Sequence, residues 1–231
     1  MPPNWWLPGV KVSHNCHGAS HEQAGMICAI VLAAGESRRM GARARCQKLL
    51  LPFGGKTVIT CVVDTLLNSL IDQVFAVTGR DGDMIAKELG ARSVTIVNNP
   101  DYRSGMLSSV RCGLRSLPHD CRAVMVVLGD QPAITSKLIE DLIQAFATSR
   151  KGIAVPVFRG KRGHPILFSS GYRDEILTRY DNVGLRGLLH AHPDDVFELT
   201  CSGPCVLSDI DYPEDYQREL SALRDHGRLK P

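Results

Sequence analysis

Ile27-Cys-Ala-Ile-Val-Leu-Ala-Ala-Gly-Glu-Ser-Arg-Arg-Met-Gly41, followed by Lys48, decides how the rest of this chain is read. Ile27 to Ala33 is an uninterrupted apolar run with β-branched residues, the composition of a strand buried on both faces. It stops at a Gly-rich, Arg-rich segment, so the strand delivers its C-terminal end to a loop suited to anions. Gly35 and Gly41 allow positive φ and close backbone approach, which lets main-chain N–H groups point into a concavity. Ser37, Arg38, Arg39 and Lys48 add hydroxyl and cationic partners for phosphate oxygens. The glycine spacing fits neither the G-x-x-x-x-G-K-[ST] phosphate loop nor the G-x-G-x-x-G dinucleotide fingerprint. Taken alone, the segment is also compatible with a solvated turn after a core strand.

Outward from this strand the pattern alternates. Val74 to Val77, Val94 to Val97 and Val124 to Leu128 read as further short buried strands. Between them, Val58, Ile59, Val62, Val63, Leu66, Leu67 and Leu70 recur at helical spacing, as do Leu138, Ile139, Leu142, Ile143 and Phe146. A βαβα order predicts an α/β fold, a mostly parallel sheet with helices on both faces and right-handed crossovers. Ligands in such sheets sit outside the carboxyl ends of the strands, so the loops after Ala33, Val97 and Leu128 should meet on one edge.

Those other two loops carry chemistry of their own. Asn98 to Arg111 leads into an amphipathic helix through Leu117; Ser104-Gly105 at its start offers backbone donors, and Ser108, Ser109 and Arg111 add side-chain donors. A nucleobase or phosphate fits there, and so does a plain N-capped helix with its Ser and Arg in water. In Leu128-Gly-Asp-Gln-Pro132 a carboxylate, Asp130, stands at the end of a buried strand that Pro132 terminates. Such a carboxylate needs a cation, and Mg²⁺ favours one or two carboxylates with the remaining ligands from waters and substrate phosphates. The plain alternative is an Asp that caps the next helix.

Composition bounds the remaining choices. At 231 residues with 44% hydrophobic content the chain can bury a full core, and a single globular domain over residues 26–231 is expected. A net charge of +3 with 6% aromatic residues and no basic stripe excludes a nucleic-acid binder. No apolar stretch reaches the roughly 18 residues of a membrane span, and the N-terminus does not read as a secretory signal, so a cytoplasmic protein with no membrane partner is expected. None of the eight cysteines forms a C-x-x-C pair, and reduced thiols are expected, with Cys201 and Cys205 across Gly203-Pro204 the pair to titrate. Residues 1–25 show no periodicity and read as a disordered extension, although His14, His17, His21 and Cys16 also offer a metal-site composition. Met26 directly precedes the first strand, so a chain beginning there is expected to keep its function.

The three loops together resemble the MobA-like nucleotidyltransferases. The likeness runs over residues 27 to 220 and continues through Arg162-Gly-His-Pro-Ile-Leu-Phe168, Asp181-Asn-Val-Gly-Leu-Arg-Gly-Leu-Leu189 and Asp209-Ile-Asp-Tyr-Pro-Glu-Asp-Tyr216. Within that family the chain most resembles the molybdenum cofactor cytidylyltransferases. The resemblance implies a three-layer αβα Rossmann-like nucleotidyltransferase fold, GT-A-like, with a mostly parallel central sheet. It implies that Leu32, Ala33, Ala34, Gly35, Ser37, Arg39 and Gly41 wrap a nucleoside triphosphate, with Asn99, Gly105, Ser108, Ser109 and Arg111 on its far side. Lys48 and Arg38 would act on the phosphates, and Asp130 would bind Mg²⁺ with Asp211 or Asp209 as the second acid. Gln131, Arg162, His164 and Arg186 would meet the acceptor. His164 and Arg162 would take the pterin or its phosphate, and 181–189 would form a lid over it. A strand-edge histidine and a plain helix start with a solvent-facing Arg are the alternatives for those two stretches. One departure is the six-residue gap, Ala42 to Gln47, before Lys48, which leaves Arg43 or Arg45 to share its role.

The activity so implied is transfer of CMP from CTP to the phosphate of molybdopterin, with release of pyrophosphate and a molybdenum hydroxylase as recipient of the product. Ala34, where guanylyl-transferring relatives usually have Gly, adds a methyl that narrows the base pocket toward a pyrimidine. Guanylyl transfer, a sugar or alditol phosphate acceptor, and a non-catalytic nucleotide-binding module remain the other readings.

Overall fold

The computed structural model describes residues 25–40 and 47–225. The readings made for residues 1–24, Gly41, Arg43 and Arg45 lie outside the described residues.

The decisive apolar run forms β1 (Met26–Ala33). The chain then makes a small hairpin, β2 (Pro52–Phe53) and β3 (Lys56–Thr57), and enters α1 (Val58–Leu67). Thr57 caps this helix reciprocally with Thr60, each side chain accepting from the other's backbone N–H. The helix stops short of the expected Leu70, because Asn68 closes it and Leu70 lies 61% exposed in the following turn. Next come β4 (Gln73–Thr78), α2 (Gly82–Leu89), β5 (Val94–Asn98), α3 (Met106–Ser116) and β6 (Cys121–Leu128). The second half supplies α4 (Ser136–Ser149), β7 (Ile153–Phe158), β8 (Lys161–Arg162) and β9 (Ile166–Ser169). It closes with α5 (Arg173–Thr178), α6 (Leu185–Ala191), β10 (Val196–Thr200) and α7 (Pro213–Asp225).

Among the described residues the main sheet runs β10-β7-β9-β6-β1-β4-β5, with β8 paired to β7. Every neighbouring pair along this order is parallel except those of β9, which is antiparallel to β6 and β7. Alternation along β1 sorts the core into two halves. Ile27, Ala29, Val31 and Ala33 face α1, α2, α4 and α7; Cys28 and Ile30 face α3, α5 and α6. The expected three-layer αβα arrangement is what forms.

Strand order also fixes the site. From β1 the chain lays β4 and β5 on one side, then returns with β6 on the other, so the order reverses between β1 and β6. Open α/β sheets bind ligands at such a reversal, beyond the carboxyl ends of the strands. Here Gly129 N donates to Leu32 O at 3.1 Å, and a Cβ at Gly129 would stand 2.8 Å from that oxygen. Glycine is therefore required for Asp130 to emerge beside the β1 loop.

Candidate active site

Above the ends of β1 and β6 lies a cleft of about 440 Å³, a size suited to a small ligand. Leu32, Leu128 and Ala34 line its floor, and Gly35, Lys48, Asp130, Asp209 and Asp211 line the flank that carries charge. The helix start opposite contributes Tyr102, Arg103, Gly105, Met106 and Ser109. The three loops expected to converge do so.

Lys48 is the centre of the charged flank. Its Nζ donates to Asp130 Oδ2 at 2.5 Å and to Asp211 Oδ1 at 2.9 Å, and Arg39 Nη1 donates to Asp211 Oδ2 at 2.7 Å. Ile210 N donates to Asp130 O at 3.1 Å, which lays the 209–211 segment against the end of β6. Burial works against the Lys48 ammonium, but the two carboxylates outweigh it and hold its pKa above the ordinary lysine value. Burial likewise opposes ionisation of Asp211, yet Lys48 and Arg39 keep its carboxyl below the usual range. At Asp130 burial lifts the carboxyl, Lys48 pulls it down, and Asp209 and Asp211 add to the lift. Asp130 is thus a carboxylate that depends on a cation. It does not cap the next helix; Thr135 does, its side chain accepting from Leu138 N.

The long gap before Lys48 is closed by a staple that the spacing did not reveal. Ser37 Oγ donates to Gln47 Oε1 and accepts from Lys48 N at 3.1 Å. Gln47 Nε2 donates to Gly35 O and to Asp81 Oδ2, both at 3.1 Å. Ser37 therefore fastens the loop rather than offering its hydroxyl to a phosphate, and it is Ser37 (φ 54°) that takes the left-handed turn expected of Gly35. Gly35 does not take a positive φ, and the space beside its Cα is open to the cleft: a Cβ there would meet nothing within 4 Å. Arg38 opens the one-turn helix Arg38–Met40; its side chain, like Gly41, lies outside the described residues.

Other expected binding residues are occupied elsewhere. Ala33 is buried in the core on the α1 side. Asn99 is also buried and donates to Ser108 Oγ and Ser109 Oγ, each at 3.0 Å, while Ser108 Oγ donates to Asp101 O and Gly105 O. These two shape the loop; Ser109 and Gly105 line the cleft. Arg111 points away, to Ile176 O, Arg179 O and Asp181. Arg162, on the β8 edge, pairs with Glu198 on β10 at 2.8 Å and joins no other expected acceptor residue. Gln131 is buried, with Oε1 lacking a hydrogen-bond partner.

His164 and Arg186 lie near enough for the arginine charge to act on the imidazole. The β6–β9 register sets Ile166 against Val126, so His164 sits beside the end of β6, its N–H on Val206 O at 3.0 Å. Burial and the Arg186 charge lower its pKa to about 4, so the ring is neutral at pH 7. A neutral ring meets an acceptor through hydrogen bonds, one nitrogen donating and the other accepting, rather than through charge.

Tyr102, Arg103 and Glu36 were not singled out from the sequence. A Cβ at Gly79 would lie 2.8 Å from Tyr102 Cγ, so that glycine lets the ring wall the cleft; Arg103 and Glu36 approach at 3.8 Å. Asn-Pro-Asp-Tyr was the available signal for the tyrosine.

Among the described residues no group of three or more His, Cys, Asp or Glu forms a metal cage of its own, and no helix is long and apolar enough to cross a membrane. Their cysteines, Cys201 and Cys205 included, are free.

Known proteins share this arrangement of fold and sequence. The chain is 27% identical over 188 residues to the molybdenum cofactor cytidylyltransferase of Escherichia coli K12, covering 81% of this chain and 92% of that protein. It is 28% identical over 202 residues to the nicotine blue oxidoreductase of Paenarthrobacter nicotinovorans, covering 84% and 96% respectively. The crystal structure of Rv0371c from Mycobacterium tuberculosis H37Rv superposes with a TM-score of 0.74 at 27% identity, covering 86% of this chain and all of the other, and that protein is also known as a manganese complex. Residues 29–196 match the MobA-like NTP transferase domain, and with this fold and this cleft the chain belongs to that family and is a nucleotidyltransferase.

Proposed function

We propose that the protein transfers CMP from CTP to the terminal phosphate of molybdopterin and releases pyrophosphate. The observation that carries this reading is the Lys48 ammonium shared by Asp130 and Asp211 in a cleft floored by the β1 loop. The cytidylyltransferase relative supports the choice of substrates.

The attacking group needs no general base, because a phosphate monoester with a second pKa near 6 is largely dianionic at pH 7. The protein must instead hold two anions together and stabilise charge on the leaving pyrophosphate. Lys48 and Arg39 bring positive charge to the triphosphate, while Gly35 leaves room for the phosphate chain to approach the backbone. Ala34 narrows the base side toward a pyrimidine, and Tyr102 walls it. The donor set suits Mg²⁺: hard carboxylate oxygens, too few for a closed cage, facing a space for phosphate ligands. Asp130 would hold it with Asp211, which shares Lys48, and Asp209 alongside. When bound, Mg²⁺ supplies charge neutralisation at the phosphate oxygens. On the acceptor side Arg186 offers charge to the phosphate, and the neutral His164 with Gln131 offers hydrogen bonds to the pterin. The product would pass to a molybdenum hydroxylase.

The test is pyrophosphate release with Mg²⁺, molybdopterin and either CTP or GTP. Release with CTP in large excess over GTP supports the reading. Preference for GTP, or release only with a sugar or alditol phosphate, replaces the substrates. No release with any pair contradicts the proposed transfer.

A further inference from the structure

We propose that Arg111 is a positioning residue that latches the nucleotide-side helix α3 to the turn carrying α6, and so sets Arg186 for the acceptor. The acceptor half of this rests on the reading of Arg186 above; the latch does not.

Arg111 lies in the second turn of α3, the helix whose start lines the cleft. Its guanidinium reaches 65 to 70 residues along the chain. Nε donates to Ile176 O at 2.9 Å, Nη2 to Arg179 O at 2.7 Å and Nη1 to Asp181 Oδ1 at 2.7 Å. Two of those acceptors are main-chain carbonyls at the end of α5, and the side chain is only 17% exposed.

The turn it grips is strained. Tyr180 (φ 75°) and Asn182 (φ 64°) both occupy the left-handed region, and Gly184 (φ 70°) follows. A bulky residue there costs on the order of 1–3 kcal/mol and persists only where its surroundings fix it. Arg111 fixes the residue before Tyr180 and the one after it. The Tyr180 ring then packs on α6, where a Cβ at Gly187 would stand 2.3 Å from the ring, and its hydroxyl donates to Glu175 Oε1 at 2.5 Å. His192, at the far end of α6, lies 3.0 Å from Glu175 Oε2. Both ends of α6 are thereby tied to the segment that Arg111 holds, and Arg186 is in the first turn of that helix.

Two readouts test this on the full chain. Hydrogen exchange, which needs no substrate, should show protection of residues 179–191 falling at least tenfold in Arg111→Ala, with partial recovery in Arg111→Lys and unchanged protection of β1 and β6. Titration with CTP and Mg²⁺ should give the same affinity within twofold, while KM for molybdopterin rises about tenfold. Arg186→Ala should raise that KM similarly, and adding Arg111→Ala to it should cost little more. Loss of CTP affinity with protection intact at 179–191 would overturn the proposal, as would full protection with an unchanged acceptor KM. If Arg186→Ala leaves the acceptor KM unchanged, the acceptor reading fails, and exchange at 179–191 still decides whether the latch exists. General loss of protection in Arg111→Ala moves that decision to Arg111→Lys: wild-type protection there, at 179–191, contradicts the latch.

Discussion

The two flanks of the sheet's carboxyl edge both gather charged side chains, but they give them different partners. On the β1 flank Lys48, Arg39, Asp130 and Asp211 face one another around an open cleft, so each partner is a side chain that a ligand can replace. On the α5–α6 flank Arg111 ends on main-chain carbonyls, and Glu175 is held by Tyr180 and His192. A ligand cannot replace a main-chain carbonyl there without dismantling the turn. Exchangeable partners mark the site and fixed partners mark its frame, and the same residue type, arginine, serves in both.

Asp130→Ala strikes the exchangeable flank hardest. Pyrophosphate release should fall on the order of 10³-fold, the scale of losing a central electrostatic contact. Lys48 keeps Asp211 as partner, so the melting temperature should change little. A variant with more than a tenth of wild-type turnover would break the comparison, since Asp130 would then be frame rather than site.

His164, between the two flanks beside the end of β6, is tested through stability. The unfolded chain takes up a proton below its ordinary value of 6.5, whereas the folded ring resists protonation until about 4. The unfolded state therefore binds more protons between these values, and stability should rise with pH from about 4 to 6.5 and be complete above. The full contribution is about 3 kcal/mol. Urea unfolding at pH 4.5 and 7 should show this slope, and His164→Asn should flatten it; an unchanged slope in the variant would contradict the buried neutral ring.

Gln47→Leu removes the staple between the β1 loop and Lys48 while leaving the net charge unchanged. CTP affinity should fall about tenfold, equivalent to roughly 1.4 kcal/mol and to the loss of one or two buried hydrogen bonds. Unchanged affinity would show that Lys48 reaches its place without Gln47. Smallest is Ala34→Gly, which should shift the CTP-to-GTP ratio of kcat/KM toward GTP by no more than about tenfold, the lower end expected for one carbon in a pocket. A ratio that does not move would take Ala34 out of base selection.

Much of this could be read from residues alone, and the boundary is physical. Apolar runs ending in Gly35, Asn99 and Asp130 placed three loops on one sheet edge, because parallel strands deliver their carboxyl ends together. The convergence of Lys48 with Asp130 and Asp211 came from the family resemblance and holds in the fold. What could not be read was the direction of donors. Ser37, Asn99, Ser108 and Arg111 are the same donors whether they meet a phosphate or a carbonyl, and Arg111 finds its carbonyls 65 or more residues away. Arg162 sits near His164 in sequence, yet the β7–β8 hairpin brings it to Glu198 instead. Gln47 was passed over because a lone glutamine at the end of the long gap before Lys48 has no pattern, and its role exists only through contacts with Gly35, Ser37 and Asp81.

The central claim is that one triphosphate is held where the β1 loop, Lys48 and the aspartates meet. A crystal structure with Mn²⁺ and a non-hydrolysable CTP analogue tests it most directly. The anomalous signal should lie against the Asp130 carboxylate with Asp211 beside it, and the phosphates should run between Gly35 and Lys48. A metal touching neither aspartate, or a triphosphate bound away from Lys48, would contradict it.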